Sequence, residues 1–198
     1  MANVDRPFGV RVAQLGSATN YTAKARKFYA NDDREDTNNA GDIYVNDVVT
    51  LDGGYIKPAA TGDAILGVVV GVGPVDSQTF GRPGAFDPDN LSNRSLPYDE
   101  AGVVYVVDDP DVVLEIQEDA DDSADALEFT DIGDVRDLTV GATDERGSRT
   151  THNSTVELSS TLDTEGDFRI VGFVMREDNE VGPKAKWLVR INNHFYNQ

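Results

Sequence analysis

The chain has 198 residues and not one cysteine. That excludes disulfides, thiolate metal sites and thiol nucleophiles, so stability must come from packing, β-ladders and subunit contacts. Histidine occurs twice, at His152 and His194, and neither has a ligand-type residue at i+2 or i+4. Both are expected to be surface residues without a role, and no metal is expected on them. No apolar run is long enough to cross a membrane, and no basic-then-apolar leader precedes Asp5. The expectation is a soluble protein made in the cytoplasm. No Gly-x-x-x-x-Gly-Lys phosphate loop and no nucleophile elbow occurs. Gly71-Val72-Gly73 opens like a dinucleotide fingerprint but runs into Pro74 and Asp76 where a helix should begin. Catalytic residues, cofactors and metal ligands are therefore not expected, and the chain does not read as an enzyme.

Basic residues are scarce as well: 17 Lys and Arg face 36 Asp and Glu, for a net charge of −19. The imbalance is uneven. Residues 1–30 carry Arg6, Arg11, Lys24, Arg26 and Lys27 against the single acid Asp5, a net +4 that leaves −23 on the rest. An acidic body repels phosphate, so nucleic acid is not an expected partner. Solubility, or tolerance of a salty medium, accounts for the acidity equally well.

What is present is short β-branched runs between turn residues. Ile65 to Val72 is apolar or glycine throughout, a pattern suited to a strand buried on both faces, and Gly73-Pro74 closes it. Upstream, Val48 to Leu51 and Tyr55 to Lys57 flank Asp52-Gly53-Gly54, the signature of a tight hairpin. Val103 to Val107 and Val112 to Gln117 flank Asp108-Asp109-Pro110 and read as a second hairpin. Phe168 to Met175 and Lys186 to Ile191 predict a last hairpin, with Trp187 in the core beside Val189 and Ile191. With no amphipathic helix, the fold class is all-β: an antiparallel sandwich or small barrel with long loops. Residues 1–40 read as an extended basic N-terminal arm and polar loop, and residues 41–198 as a single β-domain.

Two loops stand out. Pro74 to Glu100 carries prolines 74, 83, 88 and 97, with Phe80 and Phe86 between them. Those rings either fold back on their own domain or insert against a neighbour. Asp119, Asp121 and Asp125 alternate as oxygen ligands for Ca²⁺ would, but Ala124 stands where a calcium loop needs glycine and Thr130 where it needs glutamate. A solvated acidic loop is the expected reading, with ion binding left open.

Asp42 to Val72, the Val103–Gln117 segment with its Asp108-Asp109-Pro110 turn, and Lys186 to His194, together with the opening Asp5-Arg6-Pro7-Phe8-Gly9, resemble the head decoration, or capsid cement, proteins of tailed bacteriophages. The resemblance rests on strand patterns and turns over most of the chain. It implies a non-enzymatic virion protein that binds the outer capsid surface as a dimer or trimer and braces the shell. The major capsid protein and further copies of the chain would be its partners. Candidate contacts are then Arg6, Phe8, Arg11, Lys24, Arg26 and Lys27 in the arm, and Phe80 and Phe86 in the proline-rich loop. The alternative is a tail-associated or receptor-binding β-module, for which an aromatic carbohydrate platform or repeats would be expected.

Overall fold

A computed structural model describes residues 3–13, 24–34, 41–74, 95–140, 146–148 and 151–197. Phe80 and Phe86 lie outside the described residues, as does most of the proline-rich loop. In chain order the strands are β1 Arg11–Val12, β2 Ala25–Ala30, β3 Ile43–Tyr44, β4 Val48–Asp52, β5 Tyr55–Pro58, β6 Gly67–Pro74, β7 Ser95–Leu96 and β8 Gly102–Val107. There follow β9 Leu114–Gln117, β10 Val135–Thr139, β11 Gly147–Ser148, β12 Asn153–Ser154, β13 Glu157–Asp163, β14 Phe168–Phe173 and β15 Lys186–Ile191.

They build two main antiparallel sheets, ordered β2-β8-β6-β4-β5 and β1-β9-β15-β14-β10-β13, with β3-β7 and β11-β12 as small ribbons. Neither sheet closes into a barrel, so the architecture is an all-β sandwich. The two-residue turn between β4 and β5 forms because Gly53 and Gly54 both take positive φ, at 58° and 90°, which side chains resist. β6 is the central strand of its sheet, as its unbroken apolar run requires. Val68 and Val69 are both fully buried although they face opposite ways. Val68 joins the core between the sheets with Val48, Val107, Leu114, Trp187 and Val189, whereas Val69 joins a second core with Val49, Ile56, Val104 and Val106. The five-stranded sheet is thus apolar on both sides for part of its area. A bulge at Val70 shifts the register against β8 and leaves that side chain exposed.

The hairpin expected across Asp108-Asp109-Pro110 does not form. β8 pairs with β2 and β6, whereas β9 pairs with β1 and β15 in the other sheet. The intervening residues cross from one layer to the other. Apolar runs of equal quality state that two strands are buried, not that they are neighbours.

The N-terminal segment also differs from a free arm. Residues 3–13 are extended, but Gly9 and Val10 are buried, Val10 in the core between the sheets. Its amide donates to the Asn46 carbonyl at 2.7 Å, and Arg11 and Val12 pair with Glu115 and Leu114. Upstream, the Asn3 side chain bonds the carbonyls of Glu180 and Pro183, and Gln117 donates to the Val4 carbonyl. Short polar and apolar residues with no periodicity still dock when a sheet edge offers them a ladder.

Candidate functional site

The basic residues proposed as contacts are spread over the molecule. The Arg11 guanidinium lies 4.4 Å from the Phe8 ring centroid and donates to Glu115 at 2.7 Å. Glu115 also accepts a bidentate pair from Arg176, so Arg11 is already neutralised by a triad. Arg26 is bound to Asp108 and to the Tyr196 hydroxyl, which ties β2 to the C-terminal residues. The Lys27 ammonium stands 5.0 Å from the Tyr29 ring centroid, a cation–π distance. Arg6 and Lys24 are exposed. Arg6, Phe8 and Arg11 lie along the six-stranded sheet, and Lys24, Arg26 and Lys27 along an edge of the other, so the six do not form one patch.

A second set of exposed side chains is apolar. Between β9 and β10 a one-turn 3-10 helix, Phe129–Asp131, leads into Ile132 and is fastened to β14 by Gly133 and Asp134, which exchange main-chain hydrogen bonds with Ile170. Phe129 is 54% exposed, yet its ring packs edge-on against Phe173 and Trp187, with centroids 5.4 and 6.4 Å apart. Ile132 after this turn, Val171 at the β14 bulge and Met175 just beyond β14, which is 83% exposed, are further exposed apolar side chains. Each of these apolar side chains would lose area from water if covered, and such patches mark interaction surfaces. Sequence reading missed this set because Gly133 interrupts every regular pattern there.

Buried charge forms the second notable feature. Glu118 is fully buried; its carboxyl accepts from the main-chain N–H of Leu127 at 2.7 Å and of Ala185 at 3.2 Å, beside the Trp187 indole. Burial pushes it up to about 7 despite those bonds. Glu157, also buried, rises to about 7 for the same reason, with Asp5, Asp119 and Asp121 adding repulsion and Lys184 opposing. Lys184, at φ 60°, donates to the Asp119 carbonyl, pairs with Asp121 at 3.0 Å and lies 3.7 Å from Glu157. The acidic loop is held to the sandwich by this ammonium and by Asp119, whose N–H donates to the Leu158 carbonyl and whose carboxylate accepts from the Ser160 N–H. Among the described residues no three His, Asp or Glu side chains are grouped to hold a metal ion.

Both glutamates titrate higher in the folded chain than in the unfolded one, where about 4.5 is ordinary. The folded state therefore binds more protons between about pH 4.5 and 7, and stability falls as pH rises through that window. The expected result is a higher Tm at pH 5.5 than at pH 8.0, with the difference shrinking in Glu118→Gln and again in Glu118→Gln/Glu157→Gln. Thermal melts in moderate salt, which screens the general repulsion of a −19 body, check this. An unchanged slope in the double variant would assign it elsewhere.

The histidines need correction. His194 is buried rather than at the surface: it forms a parallel bridge with Ile65, its Nδ1 accepts from the Tyr196 N–H at 3.1 Å, and its ring packs on Tyr196. Burial pushes its pKa down. His152 has a structural task too, at φ 54° with its Nδ1 2.7 Å from the Ser95 hydroxyl. Polar neighbours in sequence hid both roles.

No protein-family model matches the chain, and no curated protein and no solved structure was found to match it.

Proposed function

We propose that this protein is a non-enzymatic structural component of a tailed-phage virion, bound to the outer surface of the capsid as a cement protein. The observation that carries the reading is the set of exposed apolar side chains Phe129, Ile132, Val171 and Met175. Val171 stands on β14, and the turn that carries Phe129 and Ile132 is anchored by the Phe129 ring on Phe173 and Trp187, so Phe129 is held in place before any partner binds. The capsid's major protein is the proposed partner, and self-association as a dimer or trimer completes the cement arrangement. The acidic body suits an outer location, since it is repelled by packaged DNA.

Co-sedimentation with capsids assembled without this chain tests the reading. The protein is expected to pellet with the shells and to raise the temperature at which they release DNA. Phe129→Ser/Met175→Ser is expected to weaken pelleting at least tenfold while keeping the native fold. Arg6→Glu/Lys24→Glu serves as the arm variant and is expected to weaken it less, because those charges are dispersed. Protein left in the supernatant at micromolar concentration would refute the cement role.

A receptor-binding module is the second reading, and one feature favours it: three exposed tyrosines, Tyr29, Tyr55 and Tyr105, stand on the five-stranded sheet, Tyr29 and Tyr55 on its edge strands.

A further inference from the structure

Among the described residues β2 and β5 are the two unpaired edges of the five-stranded sheet, and the sheet curls enough to bring their Cα atoms within 8 Å of each other. No ladder joins them. Between them lies an open depression of about 560 Å³. Its two walls carry Tyr29 and Tyr55, which are 47% and 49% exposed. The Gly53-Gly54 turn lies at one end, and among the described residues nothing stands within 4 Å of where a side chain on either glycine would begin. Asn31 and Asp32 supply an amide and a carboxylate at the border. Lys27 stands over the Tyr29 ring but does not line the depression.

We infer that this depression binds a neutral hexopyranose chain. Several properties of the site select that ligand. Tyrosine rings offer flat apolar faces that accept the C–H face of a pyranose while their hydroxyls stay wet. Asn31 and Asp32 present donors and acceptors of the kind vicinal hydroxyls satisfy, including a carboxylate that accepts only. Asp32, on a body of charge −19, disfavours phosphate, nucleic acid and acidic sugars. A polypeptide strand, the other partner for unpaired edges, does not fit: a sixth strand needs twice the ~4.8 Å interstrand spacing, more than the separation of these edges allows. The volume lies within the ~300–1,000 Å³ of small-molecule sites, and its openness suits a polymer that continues beyond the site.

Affinity electrophoresis in native gels tests the assignment, with dextran, a mixed-linkage β-glucan or galactomannan cast into separate gels and polygalacturonate as the acidic comparator. The full chain is expected to be retarded in at least one neutral gel and to run freely in polygalacturonate. Tyr29→Ala and Tyr55→Ala should each reduce retardation at least fivefold. Tyr105→Ala, outside the depression, should leave it unchanged. Tyr29 and Tyr55 are exposed, and unaltered Trp187 emission verifies that each variant is folded. Free migration in all three neutral gels overturns the inference, as does retardation that survives Tyr29→Ala and Tyr55→Ala or equal retardation in polygalacturonate. Capsid co-sedimentation is measured separately, so the two readings succeed or fail independently.

Discussion

Trp187→Ala is expected to destabilise the protein by about 3–5 kcal/mol, the range for emptying a large aromatic site in a core. The indole is fully buried on β15, a strand paired on both sides, with Ile116 and Phe173 as its cross-strand neighbours. Its ring meets Phe173 edge-on at 5.1 Å between centroids, so truncation removes an aromatic contact as well as apolar area. Collapse of neighbours into the space is limited because β15 is held in register by β9 and β14. Denaturant unfolding of the wild type and variant measures the difference. It is a large share of the roughly 5–15 kcal/mol that stabilises most domains. A cost under about 1 kcal/mol would remove Trp187 from the core. As the only tryptophan, it also reports on itself: blue-shifted emission with weak iodide quenching is expected in the free protein. Because the Phe129 ring packs edge-on against it, covering Phe129 should change that emission without unfolding.

Arg146→Ala is expected to cost a similar amount, about 3–5 kcal/mol, for a different reason. Its Nε donates to both Asp47 carboxylate oxygens, at 3.0 and 2.9 Å, and its Nη2 donates to the Val48 carbonyl. Asp47 has no exposed surface and Arg146 almost none. Burial pushes the Asp47 carboxyl upward and the guanidinium opposes it. Removing the guanidinium would leave an anion, or a carboxylic acid forced to protonate, where no water reaches. The double variant Asp47→Leu/Arg146→Met should recover most of the loss, since matched apolar replacement of a buried pair is often near neutral. If the single and double variants were equally unstable, packing rather than charge would be the cause.

Sequence pattern revealed those elements whose instructions are local. Gly53-Gly54 defines one hairpin, the Glu177–Pro183 turn positions Trp187 against Phe173, and the apolar run at Ile65 predicts the central strand of a sheet. The partners of β8 and β9 were hidden because period-2 alternation assigns a face without naming a neighbour. The Asp47–Arg146 pair was hidden for a related reason. Arg146 sits among Thr143, Asp144, Glu145 and Ser148, residues that read as a solvated loop, and its burial depends on a contact 99 positions away. The docking of Val10 and His194 likewise depends on what distant segments leave uncovered. The exposed apolar set escaped notice because Phe129, Ile132, Val171 and Met175 are single apolar residues in three separate stretches. The hydrogen bonds of Gly133 and Asp134 with Ile170 bring the first two to β14.

The order of strands in the six-stranded sheet constrains when it can exist. In the sheet β9 and β14 are joined only through β15, and Asn3 bonds to Glu180 across 177 positions. A nascent chain must therefore hold β1 to β14 in an unfinished state until residues 186–191 have been synthesised. Closing loops of this length is slow, and all-β chains dominated by such distant pairings fold on roughly millisecond-to-second scales. During that interval β9 and β14 each present a bare edge flanked by apolar residues, the hazard that drives misassembly between crowded copies. A chain halted before Lys186 would hold that hazard permanently, so a stop codon there should yield aggregates rather than a smaller soluble domain.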